Sequence, residues 1–129
     1  MAAIEGGIDI LLEAGIERLR AKSILQTEFL ISLWEDHLEE LGIVLNSPTD
    51  PTQRGSHVSL GHPQAYQIDQ ALIREMRVIP DFRTPDNIRF GITPLYTTFQ
   101  EIAEAILRMR RVVESGSYLQ FPERPVGVT

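Results

Sequence analysis

Arg89 has the sequence neighbours best suited to chemistry in this chain. Ile88, Phe90 and Ile92 share one side of an extended stretch, while Arg89 and Gly91 share the other, because successive side chains of a strand point to opposite faces. An arginine on an open face, two residues from a glycine, leaves room for a planar anion beside the guanidinium. Its fork of N–H donors fits a carboxylate in bidentate fashion, which the point charge of lysine cannot reproduce. The same pattern also describes a solvated or salt-bridged strand arginine. Spacing alone does not separate the two readings.

The other reactive side chains form no comparable pattern. His57 alternates with Val58 in a strand pattern, and His62 precedes Pro63 at a helix start. Both read as structural or exposed. His37 lies among Glu35, Asp36, Glu39 and Glu40, where a solvated acidic face is the default. Asp36 or Glu40 could join it on a metal, but no third or fourth ligand recurs at compatible spacing, so no metal site is expected. The chain has no cysteine, which excludes disulfides and thiolate–metal sites. No phosphate-binding loop is present, since Gly6-Gly7 falls inside a helical pattern. Eleven of the 12 basic residues are arginine, and Lys22 is the only lysine.

The elements that must position Arg89 can be read from periodicity. Ile4, Ile8, Leu11, Leu12, Ile16 and Leu19 recur at helical spacing, as do Leu30, Leu33, Trp34, Leu38 and Leu41. Gly15 offers a break, and the apolar stripe loses register near Lys22 to Gln26. This favours two helices, about 2–14 and 16–42 with Gly42 closing the second, over a single bent one. A loop rich in turn formers follows (Asn46, Ser47, Pro48, Asp50, Pro51). Arg54 to Leu60 then alternates as a strand, and Pro63 opens a helix carrying Ala65, Ile68, Ala71, Leu72 and Met76. Val78–Phe82 and Ile88–Ile92 pair as a hairpin through Thr84-Pro85-Asp86-Asn87, a sequence suited to a type I turn. Thr98 and Glu101 form a capping box for a last helix with Ile102, Ala105, Ile106, Met109, Val112 and Val113 on one face, ended by Ser115-Gly116. The tail with Pro122 and Pro125 is expected to be loosely held. The order predicts an α+β domain: a helix and a long second helix, then strand-helix-strand-strand-helix forming a small sheet covered by helices.

Composition narrows the function classes. With 129 residues the chain has room for one modest core. A net charge of −6 argues against nucleic-acid binding, which needs a clustered basic excess. No apolar run reaches the roughly 18 residues of a membrane span. The N-terminus has no basic region ahead of an apolar block, and with the lack of cysteine this predicts a cytoplasmic protein.

Three segments resemble the C-terminal third of bacterial kynureninases: Leu19-Arg20-Ala21-Lys22-Ser23, Arg54-Gly55-Ser56-His57-Val58-Ser59, and the block from Ile79-Pro80-Asp81-Phe82-Arg83 through Asn87-Ile88-Arg89-Phe90-Gly91 to Pro94-Leu95-Tyr96-Thr97. The likeness runs in the family's order from about Ile8 to Ser115. It implies the small domain of the aspartate-aminotransferase-like fold, occupying 16–116, with 1–15 belonging to a large domain outside this sequence and 117–129 as a tail. It implies hydrolysis of L-kynurenine or 3-hydroxykynurenine to an anthranilate and L-alanine, with pyridoxal phosphate as electron sink. By the resemblance Arg89 clamps the substrate α-carboxylate, and a lysine of the large domain holds the cofactor. Lys22 lies on a helix whose family counterpart does not, so this chain carries no catalytic residue and is expected neither to bind cofactor alone nor to be active alone. The expected partner is a kynureninase large domain or an identical chain in a homo-oligomer. Arg77 departs from the family pattern, which has a turn glycine before Val78. The alternative is a stand-alone interaction or small-carboxylate-binding domain.

Overall fold

A computed structural model describes the backbone over residues 2–73 and 79–123, and side chains over 15–73 and 80–123. It contains three helices and a four-stranded antiparallel sheet. The first helix, α1, runs without interruption over Ala2–His37, about 54 Å at 1.5 Å per residue. The predicted break at Gly15 is therefore absent. A glycine in a helix interior costs only about 0.5–1 kcal/mol relative to alanine. Here Ile16, Glu17 and Leu19 resume helical spacing at once, with no proline or polar loop to turn the chain.

The loss of register near Lys22 has a different cause. Ser23, Gln26 and Thr27 are buried on the face that continues into Leu30, at the spacing of one helical side. The stripe changes from apolar to polar there because it meets loops. The Ser23 and Ser56 hydroxyls are 2.7 Å apart, and Gln26 Nε2 donates to the carbonyl of Thr97 at 2.7 Å. The α-helix ends at His37, and a 3₁₀ turn over Glu39–Leu41 is closed by Gly42 at φ +85°. That left-handed conformation is open to glycine without penalty.

Strand β1 is the short pair Val44–Leu45, and β2 covers His57–Gly61, three residues later than the predicted start. Helix α2 spans Ala65–Leu72; the predicted continuation to Met76, like Arg77 and Val78, lies outside the described residues. Strands β3 (Ile79–Arg83) and β4 (Asn87–Gly91) form the hairpin. Its link holds a cis Thr84–Pro85 peptide. Helix α3 spans Phe99–Ser115 and ends on Gly116 at φ +72°. Its first turn is capped by the Thr98 hydroxyl, which accepts from the Glu101 N–H at 3.1 Å. The Glu101 carboxylate reaches the Thr98 hydroxyl, not its backbone N–H.

The sheet order is β1-β2-β4-β3, so β4 is an inner strand. One face carries Val58, Leu60, Ile88 and Phe90, all fully buried. Three helices cover it: α1 packs toward β2, α2 toward β4 and β3, and α3 lies against both helices. Leu30, Leu38, Ile68, Leu72, Ile102, Ile106 and Met109 complete the core. The start of the tail is docked there too. A 3₁₀ turn over Ser117–Gln120 brings the Tyr118 hydroxyl to Gln64 Oε1 at 3.0 Å and the Phe121 carbonyl to Gln67 Nε2 at 2.8 Å. Among the described residues no helix is long and apolar enough to cross a membrane.

Because Phe90 is fully buried, Phe90→Ala should lose about 3–5 kcal/mol of stability. Thr98→Ala should lose about 1 kcal/mol, the value of an N-cap. Urea unfolding of the two variants checks this; equal losses would mean that Phe90 is not a core anchor.

Candidate functional site

Among the described residues the second sheet face carries no helix. Antiparallel register sets Ser59, Arg89 and Asp81 in one row across β2, β4 and β3. His57 and Gly91 form the row on one side, and Gly61, Asn87 and Arg83 the row on the other. At that second edge the Asn46 amide crosses Gly61 to hydrogen-bond Asn87, and a Cβ on Gly61 would fall 2.5 Å from the Asn46 nitrogen.

Arg89 thus stands at the middle of an uncovered face, held outward because Ile88 and Phe90 are locked into the core. Its side chain is 36% exposed and among the described residues makes one long contact, Nη2 to Asp81 Oδ2 at 3.5 Å. The same oxygen lies closer to Arg83, at 3.0 Å. Among the described residues nothing stands within 4 Å of the position a Cβ would take on Gly91. The guanidinium therefore has donors free for a planar anion, with open space beside it.

The histidines serve other ends. His37 Nδ1 lies 2.9 Å from Arg110 Nη1, and since arginine only donates, the ring nitrogen accepts. His62 Nδ1 accepts from the Gln64 N–H at 3.0 Å, and burial lowers its pKa. His57 is exposed on the open face. No group of three or more potential metal ligands occurs among the described residues. Lys22 sits part-exposed on α1.

Two charged residues have roles that the sequence did not reveal. Arg54, read as a strand residue, is instead a buried clamp in the loop before β2, its side chain 2% exposed. Its Nε donates to Thr27 Oγ1 at 3.0 Å, Nη1 to the Thr49 carbonyl at 2.8 Å, and Nη2 to Glu28 at 2.7 Å. Only its place beside turn formers hinted at this. Asp69 on α2 is 3% exposed, and its Oδ1 has no hydrogen-bond partner among the described residues. Burial, and secondarily the charge of Asp81, push its pKa up to about 7.

Comparison with known proteins decides what this arrangement belongs to. The kynureninase C-terminal domain family matches residues 19–109. This chain belongs to the kynureninase family. It is 37% identical to the kynureninase of Geobacillus thermodenitrificans over 121 residues, covering 94% of the chain and 28% of the relative. It is 38% identical to that of Pseudomonas fluorescens over 120 residues, covering 93% of the chain and 29% of the relative. For Bacillus anthracis the identity is 35% over 123 residues, covering 95% and 28%. The chain thus spans a little over a quarter of the length of the kynureninases it matches. The family match takes in the second half of α1, the whole sheet and Arg89.

The Asp69 environment has a measurable consequence. Its pKa in the fold lies above the ordinary 3.8, so between about pH 4 and about pH 7 the folded chain holds a proton that the unfolded chain has released. Stability should fall as pH rises through that window. Asp69→Asn should flatten the slope and stabilise the chain above it. Urea midpoints at about pH 4.5 and about pH 8 test this; a parent chain no less stable at the higher pH would contradict it.

Proposed function

We propose that this chain is the carboxylate-binding arm of a kynureninase, the enzyme that hydrolyses L-kynurenine or 3-hydroxykynurenine to anthranilate or 3-hydroxyanthranilate and L-alanine. The observation that carries the reading is Arg89 itself. It stands on an inner strand, at the middle of an uncovered face, with most of its fork unclaimed and empty space beside Gly91. Arg89 binds the α-carboxylate of the amino acid in bidentate fashion. It thereby fixes the orientation of Cα and of the side-chain bond to be cleaved, a positioning contribution. A rigid strand suits this task, because the direction of Arg89 is set by the burial of its neighbours.

Pyridoxal phosphate supplies the electron sink of the reaction when bound. The donors of this chain do not suit holding it: Lys22 is the sole lysine, and it projects from α1, not from the sheet face that carries Arg89. Cofactor and catalytic lysine therefore belong to another portion of the enzyme, and the isolated chain neither binds pyridoxal phosphate covalently nor turns over. Its partner is that portion, or a second identical chain in a homo-oligomer, engaged through α1, whose first turns carry Ile4, Ile8, Leu11 and Leu12. Sedimentation showing only monomers at high concentration would remove the second partner.

The test of the function is to combine this chain with the N-terminal portion of a kynureninase and assay anthranilate release. Arg89→Lys should lower kcat/KM for the amino acid by about 2–4 kcal/mol. Affinity for pyridoxal phosphate should be unchanged. Turnover that survives Arg89→Lys intact would remove the role. A stoichiometric near-visible band on the chain alone, lost in Lys22→Ala, would overturn the division of labour.

A further inference from the structure

Two arginines compete for one carboxylate oxygen on the open sheet face. Asp81 Oδ2 lies 3.0 Å from Arg83 Nη2 and 3.5 Å from Arg89 Nη2. Arg83 and Asp81 are two residues apart on β3, hence on the same face. Arg89 sits directly across from Asp81 in the β3–β4 register. Residues paired in this way have their Cβ atoms about 4.5–5.5 Å apart, close enough for an aspartate and an arginine to meet fork to fork. That closed pair does not form here. Asp81 leans to Arg83 and leaves Arg89, among the described residues, with a single contact at the limit of hydrogen bonding.

We propose that Arg83 is a positioning residue for the Arg89 clamp: it draws the Asp81 carboxylate to itself and so keeps the Arg89 fork open for the carboxylate of an amino-acid ligand. The inference rests on the reading of Arg89 given above. Asp81 remains near enough to keep Arg89 from swinging off the face. Charge supports the same conclusion. Arg83, Asp81 and Arg89 together carry one net positive charge, which an incoming carboxylate neutralises. Without Arg83 the remaining pair is already neutral, and a ligand must displace Asp81 before it can bind. All three side chains are between about a third and a half exposed, so the exchange proceeds in water at small cost.

The rate at which phenylglyoxal modifies Arg89 in the full 129-residue chain, read by mass spectrometry of the peptides, measures how open the fork is. Arg83→Gln should slow modification of Arg89 about two- to fivefold, the range that exposed ion pairs support. Asp81→Asn should not slow it. The double variant should behave as Asp81→Asn does, and Arg83→Lys, which keeps the charge, should stay near the parent. A purely structural role for Arg83 would not be relieved by removing Asp81. An unchanged rate in Arg83→Gln, or a double variant as slow as Arg83→Gln alone, overturns the proposal. This readout needs no assembled enzyme. If the labelling pattern holds but Arg89→Lys leaves kcat/KM of the assembled enzyme intact, the carboxylate-clamp reading fails and the local geometry stands. If Arg89→Lys is damaging but the labelling pattern is absent, only the role of Arg83 fails.

Discussion

The burial of Ile88 and Phe90 beneath three helices is the constraint on which the rest of the molecule depends. Side chains on a strand alternate, so seating these two residues in the core leaves Arg89 no choice of direction. A one-residue slip of β4 would put Arg89 into the apolar layer, where an unpaired charge costs several kcal/mol, and expose a phenylalanine. Register is therefore fixed by the same contacts that hold the domain together. The open face inherits its precision from the core on the other side.

A second contact network fixes that sheet relative to α1, and it is polar. Ser23, Gln26 and Thr27 meet the loop before β2 and the segment before α3. Arg54 crosses between them with its guanidinium almost wholly covered. Such a charge is tolerable only because its nitrogens find the Thr27 hydroxyl, loop carbonyls and the Glu28 carboxylate. Arg20 adds contacts to the carbonyls of Pro51 and Arg54. Without this network the 46–56 loop would have little to hold it, because it contributes no residue to the apolar core.

These two networks explain which features were legible in the sequence. The alternation of β4, the stripe of α3 and the glycine stops at 42 and 116 are local signals, and the structure repeats them. The open-face position of Arg89 follows from the same alternation. The continuous α1 was hidden because Gly15 can end a helix, and because Ser23, Gln26 and Thr27 bury polar side chains farther along, where a periodicity built on apolar residues loses its stripe. Strand β1 was missed because two residues carry no period at all. Arg54 looked like a strand residue because the loop it anchors runs straight into β2, and only the fold reveals the carbonyls it binds. Asp69 gave no signal either, since a carboxylate on an amphipathic helix is assumed to face water until the packing of α2 is known.

The two faces of the sheet also differ in the kind of side chain they present. On the helical side the sheet presents only apolar side chains among the described residues, Val58, Leu60, Ile88 and Phe90. On the open side Arg89 keeps most of its donors free, Val44 is more than half exposed, and Asp81 divides one oxygen between two partners. Water can solvate such a surface, so this incompleteness costs the isolated fold little. It becomes an advantage once a second surface approaches and excludes that water, because a carboxylate–guanidinium contact strengthens as the local dielectric falls. On the proposed function, the chain then contributes a donor that is aimed by its core but weakly committed until a ligand arrives. A tightly paired arginine on the same strand would be equally well placed, yet it would have to give up a strong contact before making a new one. Loose pairing at a rigid position resolves the conflict between aiming a group and keeping it available.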